Sequence, residues 1–379
     1  MRSAHRPWRF APSCRLLALV AFSVASSLYG AREEVDPGAN EDPAEYQQLL
    51  VIPKGKFPTN HGSSITELPD KSLLCAWYAG SREAAPDVNV YLSSFDPVQK
   101  TWGEPSVLAG NRERAEWRLR RTKSVGNVVL YVDDEGVVWA FYAAIPFGGW
   151  TTAHVDYRTS TDSGVTWSQP KTLVGMLSNM PRSEPVRVGP NRFAIPLYHN
   201  MGQKHGYTCT VTVAGGKIVG RTFERIRGEK HTQPAIARAS DNELYAYLRD
   251  PTWKSLMFSR FDVAQRRWST AERLDVVNPN AAVDVEQTPD GKTLLVYNSN
   301  PRHRVPLSLA YSLDCRKFTK IWDFETQRGG AFSYPALTRS SDGNYHLTYS
   351  HSRRATIKHV RFSEKWLNEK IAAAGSAPL

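Results

Sequence analysis

Several side chains in this sequence could act together on one anionic molecule. Arginines stand at Arg82, Arg249, Arg302 and Arg304, carboxylates at Glu83, Asp87, Glu184 and Asp284, and a tyrosine at Tyr334, with His61 and Gln233 as polar company. Each lies where a run of β-forming residues begins or ends. Guanidinium groups bind carboxylates through a bidentate fork, so arginines on this scale suit an acidic ligand. A carboxylic acid beside them can protonate a leaving oxygen. Taken singly, each is an ordinary loop charge. Taken as a set that recurs at equivalent places, they read as a site. The spacing of Cys75, Cys209 and Cys315 matches no metal centre, and neither metal nor cofactor is expected.

The elements that would position these residues repeat six times. A turn of Asp, Asn, Gly or Pro leads each time into an alternating run: Leu73–Tyr78, Val137–Tyr142, Phe193–Tyr198, Leu244–Tyr247, Thr293–Tyr297 and Tyr345–Tyr349. Aligning Trp77, Phe141, Leu197, Tyr247, Tyr297 and Tyr349 gives intervals of 64, 56, 50, 50 and 52 residues. A period near 54 marks a repeat architecture. Strands precede and follow each run, and three of the preceding ones open on Ser183-Glu184-Pro185, Thr232-Gln233-Pro234 and Ser333-Tyr334-Pro335. Four strands per repeat, six times, predict an all-β six-bladed propeller. Pro196 inside a strand predicts a bulge. The third strand ends in a turn whose fullest copy is Ser160-Thr161-Asp162-Ser163-Gly164-Val165-Thr166-Trp167, with degenerate copies at Asp96, Asp262 and Asp314. There Asp bonds back to the turn and Gly permits positive φ, so Asp162 is structural.

In an antiparallel hairpin the start of one strand lies beside the end of the next. All first-strand starts and second-strand ends therefore share one face around the central channel. That face collects His61, Arg82, Glu83, Asp87, Asn127, Glu184, His199, Gln233, Arg249, Asp250, Asp284, Arg302, Arg304, Tyr334, His351, Arg353 and Arg354.

On these motifs the chain resembles the sialidase (neuraminidase) superfamily with its Asp-box repeats, over roughly residues 55–362, in a bacterial sialidase-like branch. The resemblance rests on the Asp-box, on His61-Gly62-Ser63-Ser64-Ile65 followed by Arg82-Glu83-Ala84-Ala85-Pro86-Asp87, and on Ser333-Tyr334-Pro335-Ala336 with Ile357-Lys358-His359-Val360. It implies a tyrosine nucleophile at Tyr334, an acid/base at Asp87 with Arg82 beside it, and clamp arginines at Arg249 and at Arg304 or Arg302. Sialidases depart from the two-carboxylate scheme because a tyrosinate suits an anionic sugar. Two positions differ from the pattern. His61 stands where the first clamp arginine is expected. Gln233 stands where a glutamate would activate the tyrosine, leaving Asp284, or else Glu184, to supply a base. The implied activity is exo-hydrolysis of a terminal α-ketosidic sugar acid such as sialic acid. The alternatives are hydrolysis of 3-deoxy-octulosonic acid at the bacterial envelope, a lectin-like propeller that binds acidic glycans without turnover, and a lyase or hydrolase of uronic-acid polysaccharides.

Composition bounds these readings. The 379 residues are 41% hydrophobic and 22% charged, which excludes wholesale disorder, collagen and coiled coil. No apolar stretch is long enough for a stable membrane span. The net charge is +11; without the four arginines of residues 1–30 it is +7. That surplus suits acidic glycans, whereas no basic run is joined to a nucleic-acid reader motif. Residues 1–30 carry arginines, then Leu16–Ala25, then small residues, the pattern of an export signal, so a periplasmic or secreted protein is expected. Residues 31–54 read as an acidic leader, 55–362 as the propeller and 363–379 as a helical tail. The odd number of cysteines after the signal leaves the fold without a disulfide framework.

Overall fold

The computed structural model describes residues 36–111, 122–240, 243–253 and 255–375. The expected export signal lies outside them. Six antiparallel sheets of four or five strands follow one another along the chain. Their innermost strands are Thr59–Glu67, Ser124–Val132, the interrupted pair Asn179–Pro181 and Val186–Gly189, Thr232–Ser240, Asp284–Gln287 and Ser333–Arg339. Numbered from Thr59, these define blades 1 to 6. The second strands, Leu73–Gly80, Val138–Ile145, Arg192–His199, Glu243–Arg249, Thr293–Tyr297 and Tyr345–His351, are the six aromatic runs read from the sequence.

Apolar residues from adjacent blades fill the space between them. Leu74, Ala76, Val90 and Leu92 of blade 1 meet Val125, Leu130, Val138 and Ala140 of blade 2 in one buried cluster. The second strands are buried along both faces, which explains their nearly continuous hydrophobicity. The Asp-box does what its residues predict. Thr166 donates to Asp162 through N at 2.9 Å and Oγ1 at 2.6 Å. These bonds, Thr166 Oγ1 foremost, hold the Asp162 carboxyl down at about 2. Gly164 takes φ +83° with Leu74 of the neighbouring blade 3.2 Å from where a Cβ would sit. Cys75, Cys209 and Cys315 are buried free thiols.

Part of the expected leader belongs to the propeller. Tyr46–Leu50 pairs with Thr356–Phe362 as the outer strand of blade 6, which is otherwise built from the other end of the chain. The helix Glu364–Gly375 follows. Ser363 Oγ caps it by accepting from Trp366 N at 3.0 Å. Trp366 then packs on Tyr46 and Trp322, with ring centroids 5.1 and 5.3 Å away.

The inner strands carry the feature that builds the site. In blades 1, 2, 4 and 6 the register slips between His61 and Ser64, Gly126 and Val129, Thr232 and Ala235, and Ser333 and Ala336. Each slip is a β-bulge whose first extra residue has positive φ: Gly62 at 63°, Asn127 at 43°, Gln233 at 52° and Tyr334 at 59°. For a bulky side chain this conformation is costly, and such outliers gather at functional sites. Blade 3 differs. Pro196 sits in unbroken register with Thr208, so the expected bulge is absent from its own strand. The inner partner breaks instead, at residues 182–185, opposite Ile195 and Pro196. Proline offers no N–H to a ladder, so the break costs no donor there.

Candidate active site

Tyr334 is the hub. Its oxygen receives a hydrogen bond from Gln233 Nε2 at 2.9 Å and a longer one from Arg249 Nη1 at 3.4 Å. The same Arg249 nitrogen donates to Gln233 Oε1 at 2.9 Å, which fixes which end of the amide faces the tyrosine. The Gln233 amide also reaches the Tyr198 hydroxyl at 3.3 Å, and Asn127 Nδ2 donates there at 2.9 Å. The bulge residues of three blades thus meet at two tyrosine oxygens.

Arginines surround this pair. Arg249 Nε donates to Asn280 Oδ1 at 2.5 Å, and Arg304 Nη2 approaches the Asn280 carbonyl at 3.4 Å. The guanidinium carbons of Arg182 and Arg304 lie 4.8 and 5.9 Å from the centre of the Tyr334 ring. Burial pushes the Tyr334 phenol up. Arg249, Arg304 and the Gln233 hydrogen bond outweigh it, and the group ends below its usual range. Tyr198 is pushed up by burial.

His61 packs against Tyr334, ring centroids 4.2 Å apart, with Nδ1 2.7 Å from Ser350 Oγ. Burial first, then Arg354, Arg304, Arg182 and Arg249, hold it well below the ordinary histidine range, so it is neutral. It therefore lies against Tyr334 without a charge. Glu83 Oε1 lies 3.6 Å from His61 Nε2, 3.0 Å from the Tyr78 hydroxyl and 2.9 Å from Arg354 Nη1. Tyr78, Glu83, Tyr198, Gln233, Arg249 and Tyr334 all border one cavity of about 250 Å³ at the channel mouth.

The structure gathers Tyr334, Gln233, Arg249, Arg304 and His61, and leaves four expected residues elsewhere. Asp87 is exposed, and its carboxylate accepts from Ser81 N and Oγ, both at 2.8 Å. The Ser81 hydroxyl, chiefly, keeps it below the usual carboxylate range. It closes its own loop and does not border the cavity. Arg82, on the same loop, is exposed and also stands apart. Asp284 lies behind the site: it accepts from Leu337 N at 2.8 Å, and Arg182 is its charge partner. Glu184 is held in the channel by Thr338 and Thr66. Neither is bonded to the Tyr334 oxygen. The reason for Glu184 is the broken inner strand. Gln233 and Tyr334 take positive φ in their Ser/Thr-x-Pro phrases and Glu184 does not.

Arg182, Asn280 and Arg354 join the cluster without having been assigned a role from sequence. Arg182 sits where the strand breaks, a position marked only by the arginine ahead of the Ser-Glu-Pro phrase. Among the described residues no group of three or more His, Cys, Asp or Glu could hold a metal ion. No helix among them is long and apolar enough to cross a membrane.

The family model described as a BNR repeat-like domain matches residues 71–347. The chain belongs to this family. No curated protein matches it in sequence. Among solved structures, this BNR repeat-like propeller is similar to the Hadza microbial sialidase Hz136, at TM-score 0.69 and 16% identity over 84% of this chain and 69% of that one. The NanB sialidase of Streptococcus pneumoniae aligns at TM-score 0.68 and 11% identity, covering 84% and 70%. The intramolecular trans-sialidase of Ruminococcus gnavus aligns at TM-score 0.67 and 13% identity, covering 83% and 97%. The BNR repeat-like chain thus has the sialidase-like six-bladed fold.

Proposed function

We propose that this propeller is a sialidase-like glycoside hydrolase that takes a terminal sugar acid at the channel mouth and attacks its anomeric carbon with Tyr334. The observation that carries the reading is the pair of donors on the Tyr334 oxygen. An oxygen that accepts from Gln233 and Arg249 is favoured as a phenolate, its proton passing to solvent, so the attack needs no carboxylate base beside Tyr334. Arg249, Arg304 and Arg354 offer guanidinium groups to the substrate carboxylate. In the first step a bond forms between Tyr334 Oη and the anomeric carbon as the bond to the aglycone oxygen breaks. That oxygen takes a proton from water at the channel mouth, because Asp87 is tied to its own loop and Glu83, the carboxylate bordering the cavity, is paired with Arg354. Water then releases the sugar acid and returns the proton, with net retention. The substrate class is an α-ketoside of sialic acid or of an eight-carbon 3-deoxy-octulosonic acid, met outside the cytoplasm.

A second reading is binding without turnover. It is favoured by one observation: Glu83, the carboxylate nearest to hand, is already engaged by Arg354 and Tyr78. Fluorogenic sialic-acid and octulosonic-acid glycosides, with calorimetry on the methyl ketosides, separate the two. Turnover lost in Tyr334→Phe supports the hydrolase. Binding with no turnover supports the lectin-like reading, and no binding of either sugar acid removes both.

A further inference from the structure

Blades 3 and 6 stand opposite each other in a ring of six, and one side chain spans the channel between them. The inner strand of blade 3 stops at Pro181 and resumes at Val186, which frees residue 182 from its own ladder. Arg182 is buried there, and its Nη2 donates to the Pro335 carbonyl of blade 6. Its guanidinium lies over the Tyr334 ring, 4.8 Å from the centre, and does not border the cavity.

The acceptor is part of the feature that presents the tyrosine. In blade 6 the register slips between Ser333 and Ala336, so Tyr334 and Pro335 have no partners in the ladder. Tyr334 takes φ 59° at that point. A bulky residue keeps such a conformation only where its surroundings fix it. Here the fixing groups come from other blades. Arg182 holds the carbonyl that follows Tyr334, Asp284 of blade 5 accepts from Leu337 N at 2.8 Å just past the slip, and His61 of blade 1 packs on the ring. Burial works against the Arg182 cation, and the Asp284 charge is the first to offset it. The phenol oxygen stands at the far end of the side chain from the bulge. A small turn of the backbone at 334 and 335 would swing it away from Gln233 Nε2 at 2.9 Å and Arg249 Nη1 at 3.4 Å.

We infer that Arg182 is a positioning residue: reaching across the channel from blade 3, it holds the blade 6 bulge in the form that keeps the Tyr334 oxygen against Gln233 and Arg249. The inference rests on Tyr334 being the attacking group, as proposed above. Arg182 acts through the bulge and touches no substrate, so its loss should spare sugar-acid binding.

The test is ultraviolet titration of tyrosinate, with Tyr334→Phe subtracted, beside glycoside kinetics. Arg182→Met alone would leave Asp284 buried without its charge partner, which invites unfolding. The variant measured is therefore Arg182→Met with Asp284→Asn, and Asp284→Asn alone is the reference. The other groups facing Tyr334 stay in place: Arg249 from blade 4, Arg304 from blade 5, Glu83 and His61 from blade 1 and Tyr198 from blade 3. In the double variant the Tyr334 titration should rise by about one to two pH units, the scale of a lost hydrogen bond to a charged group. Below that titration the phenolate is about ten- to a hundredfold scarcer, so kcat should fall by that factor, with KM within about twofold. Arg182→Lys, which keeps a cation and a donor, should recover part of both effects. A titration that stays with the reference, an unchanged kcat, a loss carried by KM, or a lysine variant no better than methionine overturns the inference. A wild-type protein that turns over neither glycoside removes the hydrolase reading instead, and the titration then still decides whether Arg182 positions Tyr334.

Discussion

Replacing Gln233 by glutamate restores the carboxylate expected beside a sialidase tyrosine, yet here it should work against the phenolate. In the wild-type protein the Gln233 amide gives one proton to Tyr334 at 2.9 Å and another towards Tyr198 at 3.3 Å, while its carbonyl oxygen takes one from Arg249. Glutamate keeps the bond from Arg249 but turns the tyrosine-facing donor into an acceptor. It also pairs with Arg249 and so draws off part of the positive field that Tyr334 feels. A hydrogen bond to a charged group contributes about 1.5–3 kcal/mol. Losing it moves the Tyr334 titration up by about one to two pH units. The assay is ultraviolet titration of tyrosinate, with Tyr334→Phe subtracted to isolate this phenol. If glycoside turnover is measurable, its alkaline dependence should move the same way. A Gln233→Glu protein whose Tyr334 titrates where the wild type does, or lower, would refute the donor argument and restore the carboxylate-base scheme.

Two further outcomes follow from the positions of the acids. Asp87→Ala should leave glycoside turnover intact and lower stability in urea by about 1 kcal/mol, the scale of a lost hydrogen bond, because Asp87 only ties its loop to Ser81; a large loss of turnover with unchanged binding would return it to the mechanism. Burial raises Asp284 to about 6 against the pull of Arg182, so between about pH 4 and 6 the fold holds a proton that the unfolded chain has released. Stability should therefore fall by about 3 kcal/mol across that window. Asp284→Asn should remove that share and leave the decline that burial of Glu286, held up to about 8, adds from about pH 4.5 to about 8.

The fold was legible because the six aromatic runs must be buried between blades, and a 54-residue period leaves few other architectures. Tyr334, Gln233 and Arg249 were legible for a local reason: two copies of one strand-opening phrase form the same bulge. Glu184 carries that phrase too, and the sequence alone equated it with the others. What separates it lies on a different strand, at Pro196, whose missing N–H faces the break that brings Arg182 to the mouth. Asp87 and Glu83 are four residues apart on one loop, and either could face the channel. The choice between them depends on Ser81, whose amide and hydroxyl capture Asp87. The outer strand Tyr46–Leu50 was hidden because its acidic, proline-broken surroundings look like a tether, and its partner is more than 300 residues away.

That outer strand has a consequence for how the site comes into being. Tyr334, Ser350 and Arg354 belong to the last blade and His61 and Glu83 to the first, so the contacts across this seam join the earliest and latest parts of the ring. His61 and Ser350 are 289 residues apart. The chain leaving the ribosome must hold blade 1 unpaired on one side until almost everything else has been made, a slow and exposed wait for so non-local a contact. The strand at Tyr46–Leu50 acts as the latch, since it reaches from the early end of the chain into the late blade. A protease that cuts between residues 50 and 59 would free the latch while sparing every residue at the channel mouth. Function would then decay by the opening of a ring rather than by damage to the site.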